Sequence, residues 1–193
     1  MLIGLSGYAG SGKDEVAKIL VHKGFERVAF ADGVRDCLYA LNPRVMHPES
    51  GLQWDLRALV VSKGWDRIKW YPEVRGLLQR MGVEAGREMF EQDCWITKLN
   101  EKFFTFDEDD IVIPDVRFPN EREWIMDNGG EVWRVTRPGY GPVNKHSSET
   151  ALDTYFFDAA VKNDGTLDDL EQQILALIGD FGEQRMRGEG VWT

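Results

Sequence analysis

The stretch GYAGSGKD, residues 7–14, decides the fold of this 193-residue chain. It follows a short apolar run, Met1–Leu5, and precedes a segment, Asp14–His22, in which apolar residues recur at helical spacing. The flanks predict a buried strand and a helix, which is the context that the phosphate-loop pattern GxxxxGK requires. Glycines allow inward-pointing backbone N–H groups, and the helix N-terminus and Lys13 add positive charge. We therefore predict a loop that binds triphosphate, rather than a glycine turn with a chance lysine.

The residue after the lysine departs from the usual pattern. Where Ser or Thr normally holds Mg²⁺ through its hydroxyl, this chain has Asp14. A carboxylate is also a hard oxygen ligand, so one interpretation is that Asp14 holds Mg²⁺ through a bridging water. The other is that Asp14 stabilises the first turn of the helix, where negative charge is favourable. The sequence leaves both open.

The rest of the chain alternates strands with helices. Further strands are predicted at residues 25–30, 111–113, 131–136 and 159–162. Further helices are predicted at residues 32–41, from about 72 onward, 94–104, 120–127 and 166–178. Residues 42–71 are expected to form an irregular, Trp-rich insertion, and the last dozen residues a loose tail. This alternation predicts an α/β fold with a mostly parallel sheet and helices on both faces.

Composition and charge restrict the functional class. A net charge of −10 argues against sequence-independent binding to DNA or RNA, which uses a basic surface. No positive leader precedes the first apolar run, and no run approaches the roughly 20 residues of a membrane span, so neither secretion nor membrane insertion is expected. Cys37 and Cys94 form no CxxC pair, which favours buried reduced thiols over zinc. The acidic run at 107–110 is most simply a solvated loop. We expect a cytoplasmic protein that binds small molecules, without nucleic-acid or membrane partners.

Charged residues follow two of the predicted strands. In PDVRFPNE, residues 114–121, Asp115 and Arg117 emerge at the carboxyl end of a strand, where ligands of open α/β sheets bind. A structural ion pair that caps the next helix is the alternative. Arg137 ends another strand and opens a Gly/Pro-rich loop, about 138–150, that could close over a triphosphate. With Lys13 and Mg²⁺, these arginines would suffice for phosphoryl transfer, which needs positioning and positive charge.

A polar stripe is predicted on the helix from about Pro72. At 100° per residue, Arg75, Gln79, Gly82 and Gly86 share one face beside an apolar stripe. The glycines leave room for a ligand to approach the polar side chains beside them. A surface arginine and ordinary helix glycines are the alternative interpretation.

These motifs resemble those of the deoxynucleoside monophosphate kinases of tailed bacteriophages, a family that shares its fold with phosphomevalonate and dephospho-coenzyme A kinases. The resemblance rests on SGxxxSGKD at 6–14, RxLxQxxG at 75–82 and DxRxxxE at 115–121, and it covers most of the chain. It implies a three-layer P-loop NTPase fold of the nucleoside monophosphate kinase type. It also implies one domain at 1–180, with an acceptor-binding insertion at about 32–106, a lid at about 138–150 and a tail at 181–193.

The resemblance also implies an activity and its residues. The activity is ATP-dependent phosphorylation of a deoxynucleoside monophosphate, with Mg²⁺ as cofactor, by a monomer or homodimer in a bacterial cytosol. The implied catalytic residues are Lys13, Asp115, Arg117 and Arg137. The implied ATP-binding residues are Gly7, Gly10, Ser11, Gly12, Lys13, Asp14, Glu15 and Asn163. The implied substrate-binding residues are Val34, Arg35, Arg75, Gln79, Gly82, Trp95, Asp115, Arg117, Glu121 and Glu149.

Particular roles follow for some of these residues. Asp115 would position the acceptor or metal-bound water, Arg117 would hold phosphate, and Glu121 would orient both. Trp95 would offer an aromatic surface to the base, although a core tryptophan is at least as good an interpretation. The turn that begins at Asn163 would pack on adenine, and Thr166 as a helix N-cap is its structural alternative.

Two other functions stay open at this point. A related kinase could act on another phosphorylated small molecule, such as phosphomevalonate or dephospho-coenzyme A. A nucleotide-binding switch would instead hydrolyse ATP in response to a protein or DNA partner. The acidic charge and the lack of an evident second module argue against the switch.

Overall fold

The structure is a computed structural model that describes residues 1–103, 110–142 and 150–187, with backbone alone for residues 102 and 180–187. The strands are β1 (Leu2–Ser6), β2 (Glu26–Arg27), β3 (Arg44–Met46), β4 (Gln53–Asp55), β5 (Ile111–Ile113), β6 (Glu131–Thr136) and β7 (Ala159–Lys162). The helices are α1 (Lys13–His22), α2 (Phe30–Leu41), α3 (Leu56–Lys63), α4 (Trp65–Ile68), α5 (Pro72–Arg80), α6 (Cys94–Phe103), α7 (Pro119–Asp127) and α8 (Leu167–Arg187), with a π-helix at Met81–Glu88. Over the described ranges, none of these helices combines the length and the apolar character needed to span a bilayer.

The described chain divides into two compact units. Unit 1 contains Met1–Ala29 and the described residues from Phe103 onward, and unit 2 contains Phe30–Lys102. Unit 1 holds a five-stranded sheet in the order β2-β5-β1-β6-β7, and unit 2 holds the two-stranded antiparallel pair β3-β4. Every pairing in the larger sheet is parallel. The predicted α/β class with a mostly parallel sheet is confirmed.

Apolar side chains alternate between the two faces of β1. Ile3 and Leu5 lie in the cluster formed with α1 and α8, which includes Val16, Leu20 and Leu170. The opposite face packs against α7, because a Cβ on Gly4 would meet Ile125 Cδ1 at 2.5 Å. Helices therefore cover both faces of the sheet, as predicted, and β1 is buried throughout.

Strands β5, β6 and β7 begin and end where the sequence predicts, but several other predictions need correction. Only Glu26–Arg27 is extended in the predicted strand 25–30, since α2 already begins at Phe30. Residues 42–71 are not irregular: they form the β3-β4 hairpin, α3 and α4. The closing helix continues to Arg187 instead of Ile178, so residues 181–187 of the predicted tail are helical.

The polar stripe predicted from Pro72 also needs correction. The helix α5 starts at Pro72 as expected, but the chain is π-helical from Met81 to Glu88. A π-helix has i to i+5 hydrogen bonds, so each residue turns through less than 100°. Gly86 therefore leaves the predicted face, and it is buried against the indole of Trp95.

The two cysteines differ from the prediction of buried thiols. Both are free, but Cys37 is exposed on α2 and Cys94 is half-buried at the start of α6. Burial raises the pKa of the Cys94 thiol, which keeps it protonated at neutral pH. Cys37 is exposed like its neighbour Asp36, whereas Val34 and Leu38, four residues apart, form the buried face of α2.

Some predictions fall on residues outside the described ranges. These are the end of the predicted helix at Phe104, most of the acidic run 107–110, positions 143–149 of the predicted lid with Glu149, and positions 188–193 of the tail. Asp110 is described, and its carboxylate accepts a hydrogen bond from the amino group of Met1.

Glu131, at the start of β6, should make stability depend on pH. Burial raises the pKa of its carboxyl, and Asp158 adds to the shift, while Trp133 Nε1 donates to Glu131 Oε2 at 2.8 Å. The folded protein therefore binds the proton more tightly than the unfolded chain does. This stabilising effect is complete below the unfolded pKa and is lost as pH rises through the raised folded pKa.

We expect Glu131→Gln to raise the thermal midpoint at pH 7 by about 1–3 °C. The glutamine keeps an oxygen acceptor for Trp133 and cannot ionise. Near pH 3, where both side chains are neutral, the difference should vanish. Glu26→Gln, at an exposed position of β2, is the matched control for thermal melts at both pH values. A gain of equal size at pH 3 and pH 7 would contradict this account.

Candidate active site

Four segments with predicted site residues meet at one edge of the sheet of unit 1. The carboxyl ends of β5, β1, β6 and β7 lie side by side, because these strands are parallel neighbours. They lead into residues 114–121, the phosphate loop 7–13, residues 137–140 and Asn163 respectively. Ligands of open α/β sheets bind at this edge. The phosphate loop is therefore central, with residues 114–121 on one side and Arg137 and Asn163 on the other.

The phosphate loop has a backbone that needs glycine. Gly7, Gly10 and Gly12 have φ values of +148°, +82° and +104°, which L side chains rarely adopt. Their surroundings also leave no room for a side chain. A Cβ on Gly7 would overlap the carbonyl oxygen of Val135, and one on Gly12 would overlap the carboxamide of Asn163. Val135 of β6 and Asn163 after β7 thus border the loop closely.

Lys13 and Ser11 are the polar side chains inside the loop. Lys13 Nζ donates to the carbonyl oxygens of Gly7 at 2.6 Å and Tyr8 at 3.0 Å, so its ammonium group lies within the curve of the loop. Ser11 is only 1% exposed, and in the described part of the chain its hydroxyl oxygen has no hydrogen-bond partner. The helix α1 begins at Lys13 and directs its positive end at the loop. This environment fits an anion.

The segment after β5 is fixed by its backbone. The N–H of Val116 donates to the carbonyl oxygen of Leu5 at 3.1 Å, which ties the segment to the end of β1. Glu121 is 2% exposed, and its Oε2 accepts from the N–H groups of Arg117 at 2.6 Å and Phe118 at 3.0 Å. These are the contacts of a residue that caps α7. Asp115 and Arg117 are half-exposed beside it.

Arg137 and Asn163 lie on the other side of the phosphate loop. The guanidinium of Arg137 lies 4.9 Å from the ring centroid of Tyr140, and that ring covers Gly10. Asn163 Nδ2 donates to the carbonyl oxygen of Ser11 at 3.0 Å, and its N–H donates to Thr136 at 2.8 Å. The sequence does not single out Tyr140, although an aromatic residue three positions after the arginine is a usable signal.

The turn after β7 ends in a helix cap. Thr166 Oγ1 accepts from the N–H of Asp169 at 3.2 Å, and Asp169 Oδ2 accepts from the N–H of Thr166 at 2.8 Å. The Thr166 hydroxyl also donates to Asp169, and this bond is the main cause that lowers the pKa of the Asp169 carboxyl. Thr166 is therefore the N-cap of α8, as the structural alternative predicts. Asn163, three residues earlier, contacts the phosphate loop itself.

The other predicted substrate-binding residues that the structure describes lie in unit 2. Val34 is buried on α2 and faces Gly82, where an added Cβ would lie 3.8 Å from its Cγ2. Arg35 Nη1 donates to Asp32 at 2.9 Å, and Arg75 and Gln79 are half-buried on α5. These elements pack together, since α2 contacts both α5 and the π-helix.

Trp95 occupies the interior of unit 2. It is 7% exposed, its Nε1 donates to the carbonyl oxygen of Gly82 at 2.7 Å, and its ring fills the space beside Gly86 and Gly33. A Cβ on Gly86 would lie 2.5 Å from the indole, so the glycine is required for this packing. The position fits the core-tryptophan interpretation. A stacking role for Trp95 would require its ring to become exposed to the base.

Comparison with known proteins identifies relatives of the chain. A family model described as deoxynucleotide monophosphate kinase matches residues 61–174, more than half of the chain. The deoxynucleoside-5′-monophosphate kinase of Escherichia phage T5 is 24% identical, over 66% of this chain and 72% of that protein. The deoxynucleotide monophosphate kinase of Escherichia phage RB69 is 28% identical, over 54% of this chain and 44% of that protein. A protein of Acanthamoeba polyphaga mimivirus, whose name refers to the same activity, is 27% identical over 95% of this chain and 98% of its own length.

Solved structures of other proteins align with this chain at low sequence identity. TT1252 from Thermus thermophilus aligns with a TM-score of 0.49 at 17% identity, over 93% of this chain and 97% of that chain. Shikimate kinase from Aquifex aeolicus aligns with a TM-score of 0.46 at 14% identity, over 96% of this chain and 98% of that chain. Both scores lie below 0.5, so the fold assignment depends on the sheet and helices described above.

Proposed function

This chain belongs to the deoxynucleotide monophosphate kinase family, and from that membership we propose that it transfers the γ-phosphate of ATP to a deoxynucleoside 5′-monophosphate. The observation that carries the proposal is the phosphate loop, in which Lys13 is held against the Gly7 and Tyr8 carbonyls and the buried Ser11 hydroxyl has no hydrogen-bond partner among the described residues. The loop supports a triphosphate donor, and the family supports the monophosphate acceptor.

The residues at the sheet edge would share the work of phosphoryl transfer. Lys13 would neutralise the β- and γ-phosphates of the donor, and Arg117 would hold the phosphate of the acceptor. Arg137 would stabilise the charge that spreads over the transferred group, and Asp115 would position the acceptor oxygen. Phosphoryl transfer depends on positioning and electrostatic stabilisation, so no nucleophilic side chain is needed. Glu121 would act indirectly, because it fixes the backbone on which Arg117 stands.

Mg²⁺ would accompany the triphosphate and neutralise part of its charge. Among the described residues, no three His, Cys, Asp or Glu side chains cluster in a way that could hold a metal ion. A nucleotide-bound Mg²⁺ takes most of its ligands from phosphates and water, so one or two carboxylates suffice. Asp14, exposed in the first turn of α1, has the right donor chemistry for a water-mediated contact.

Asp14→Ala is expected to raise the Mg²⁺ concentration for half-maximal activity by about tenfold, because losing a residue that contacts a metal ion's direct ligands typically lowers the metal affinity to that extent. The measurement is a Mg²⁺ titration of the initial rate at saturating ATP. Asp168→Ala is the matched control, since Asp168 also lies in the first turn of a helix, α8. If both variants respond to Mg²⁺ as the unmodified protein does, Asp14 serves only the helix.

The acceptor would be recognised by residues of unit 2. Arg35, Arg75 and Gln79 offer hydrogen-bond donors for a nucleotide, and they stand on helices that pack against one another. Val34 and Gly82 would border the same pocket. We propose that the protein works in the cytosol of a host cell, where nucleoside monophosphates are available. It would act there as a monomer or homodimer.

An acceptor panel tests the proposed function. Purified protein would be incubated with ATP, Mg²⁺ and, in turn, the deoxynucleoside and ribonucleoside monophosphates, phosphomevalonate and dephospho-coenzyme A. We expect a deoxynucleoside diphosphate to form, together with one ADP per acceptor. Phosphorylation of phosphomevalonate or dephospho-coenzyme A alone would transfer the protein to that class. ATP hydrolysis without a phosphorylated acceptor would indicate a nucleotide switch.

A further inference from the structure

Arg134 is a charged residue between two buried apolar residues of β6. It lies near the end of β6, between Trp133 and Val135, and in the sheet it is the direct partner of Ser6 of β1. Its side chain is 16% exposed. Burying a guanidinium is costly unless it is paired, so the surroundings of Arg134 must compensate for the lost water.

Two aromatic rings and a carboxylate surround this guanidinium. Arg134 Cζ lies 4.8 Å from the ring centroid of Tyr8 and 5.2 Å from that of Phe157. Its Nη2 donates to Asp153 Oδ1 at 2.9 Å, and its Nη1 approaches Ser6 Oγ at 3.4 Å. Cation–π contacts strengthen as they lose water, so a guanidinium between two rings is held firmly.

One of the two rings belongs to the phosphate loop. The carbonyl oxygen of Tyr8 accepts from Lys13 Nζ at 3.0 Å and from the N–H of Ser11 at 3.1 Å. The Tyr8 hydroxyl is hydrogen-bonded with Asp153, and burial, followed by this bond, raises the pKa of the phenol. Tyr8 is thus held on its face by Arg134 and at its hydroxyl by Asp153. A shift of this ring would displace the carbonyl that places the ammonium of Lys13.

We propose that Arg134 is a positioning residue for the triphosphate donor: through the Tyr8 ring, and together with Asp153, it fixes the phosphate loop in the shape that presents Lys13. The inference rests on the proposed function. Arg134 itself need not touch the nucleotide, since its effect passes through the loop backbone. The consequence is selective, because loosening the loop weakens donor binding and leaves the acceptor residues of unit 2 unchanged.

The test compares Arg134→Met with Arg122→Met. Methionine keeps much of the side-chain length and removes the charge. Arg122, on α7, is a good control because its guanidinium also lies over an aromatic ring. Its Cζ is 5.8 Å from the ring centroid of Tyr155, which lies between Asp153 and Phe157 in the sequence. We expect Arg134→Met to raise the KM and the calorimetric Kd for ATP about tenfold, with the acceptor KM changed less than about twofold. Arg122→Met should leave both unchanged.

Two further variants separate positioning from general stability. Arg134→Lys should recover part of the ATP affinity, since an ammonium can still pair with Asp153 but lacks the planar fork. If Arg134 acts through Tyr8, then Arg134→Met combined with Tyr8→Leu should be no worse than Tyr8→Leu alone. Should Arg134→Met fail to fold, Tyr8→Leu must still raise the KM for ATP selectively.

Three results would overturn the inference. These are additive effects in the double variant, equal changes in the donor and acceptor KM, and an unchanged ATP Kd in a folded Arg134→Met. If the unmodified protein binds ATP but phosphorylates no acceptor, the proposed function fails. The calorimetric comparison of ATP binding still decides the role of Arg134 in that case.

Discussion

Replacing Lys13 with alanine is expected to lower kcat/KM by about a thousandfold, which is the effect of removing one preorganised group that stabilises charge in the transition state. The ammonium is held within the loop by the Gly7 and Tyr8 carbonyls, and residues 7–13 contain no second cationic side chain that could replace it. The measurement is the initial rate over a range of ATP concentrations. The midpoint of thermal unfolding should change little, because truncating the Lys13 side chain leaves the packed core intact.

Lys18→Ala is the matched control for Lys13→Ala. Lys18 lies on the same helix, its ammonium pairs with Glu15 at 2.7 Å, and its side chain is 63% exposed. An exposed pair of this kind contributes little, so Lys18→Ala should keep nearly full activity. Equal activity of Lys13→Ala and Lys18→Ala would remove the phosphate loop from the mechanism.

Replacing Gly12 with alanine is expected to weaken ATP binding by at least about a hundredfold, which corresponds to roughly 2.7 kcal/mol. The backbone at Gly12 has φ of +104°, and a Cβ there would overlap the Asn163 carboxamide. The loop must then change shape, and the Asn163 bond to the Ser11 carbonyl must break. Isothermal calorimetry with ATP measures the loss directly.

Gly24→Ala offers a control with the same backbone strain. Gly24 has φ of +100°, and an added Cβ there would meet nothing within 4 Å. Both variants should lose about 1–2 kcal/mol of stability from the left-handed conformation, but only Gly12→Ala should lose ATP affinity. Adding Asn163→Ala to Gly12→Ala removes the overlap and should recover part of the binding. Equal ATP affinity in Gly12→Ala and Gly24→Ala would refute the steric explanation.

The parts of the fold that the sequence predicts well are those with strong local signals. Buried apolar runs such as Ile111–Ile113, which lies between Asp110 and Pro114, define their strands closely. The phosphate loop is recognised because glycine spacing, strand and helix all agree. The hairpin of β3 and β4 is missed because its strands have three residues each and only Val45 is buried, so the sequence shows little of the alternation that marks a strand.

The contacts that support the candidate site are less predictable than its motifs. Asn163 reaches Ser11, and Arg134 reaches Tyr8, across most of the length of the chain. Such pairs depend on the order of parallel strands, which local periodicity does not specify. The π-helix is likewise not predicted when a rotation of 100° per residue is assumed, because the rotation per residue is smaller from Met81 onward.

The central place of β1 in the sheet has a consequence for synthesis. β1 leaves the ribosome before its two partners, β5 and β6, which begin only at Ile111 and Glu131. At about 5–20 residues per second, an apolar strand with both edges open waits several seconds for its neighbours. Nascent chains arrested before Ile111 should therefore be prone to aggregate and should attract chaperones, and they should lose that tendency once β6 has emerged.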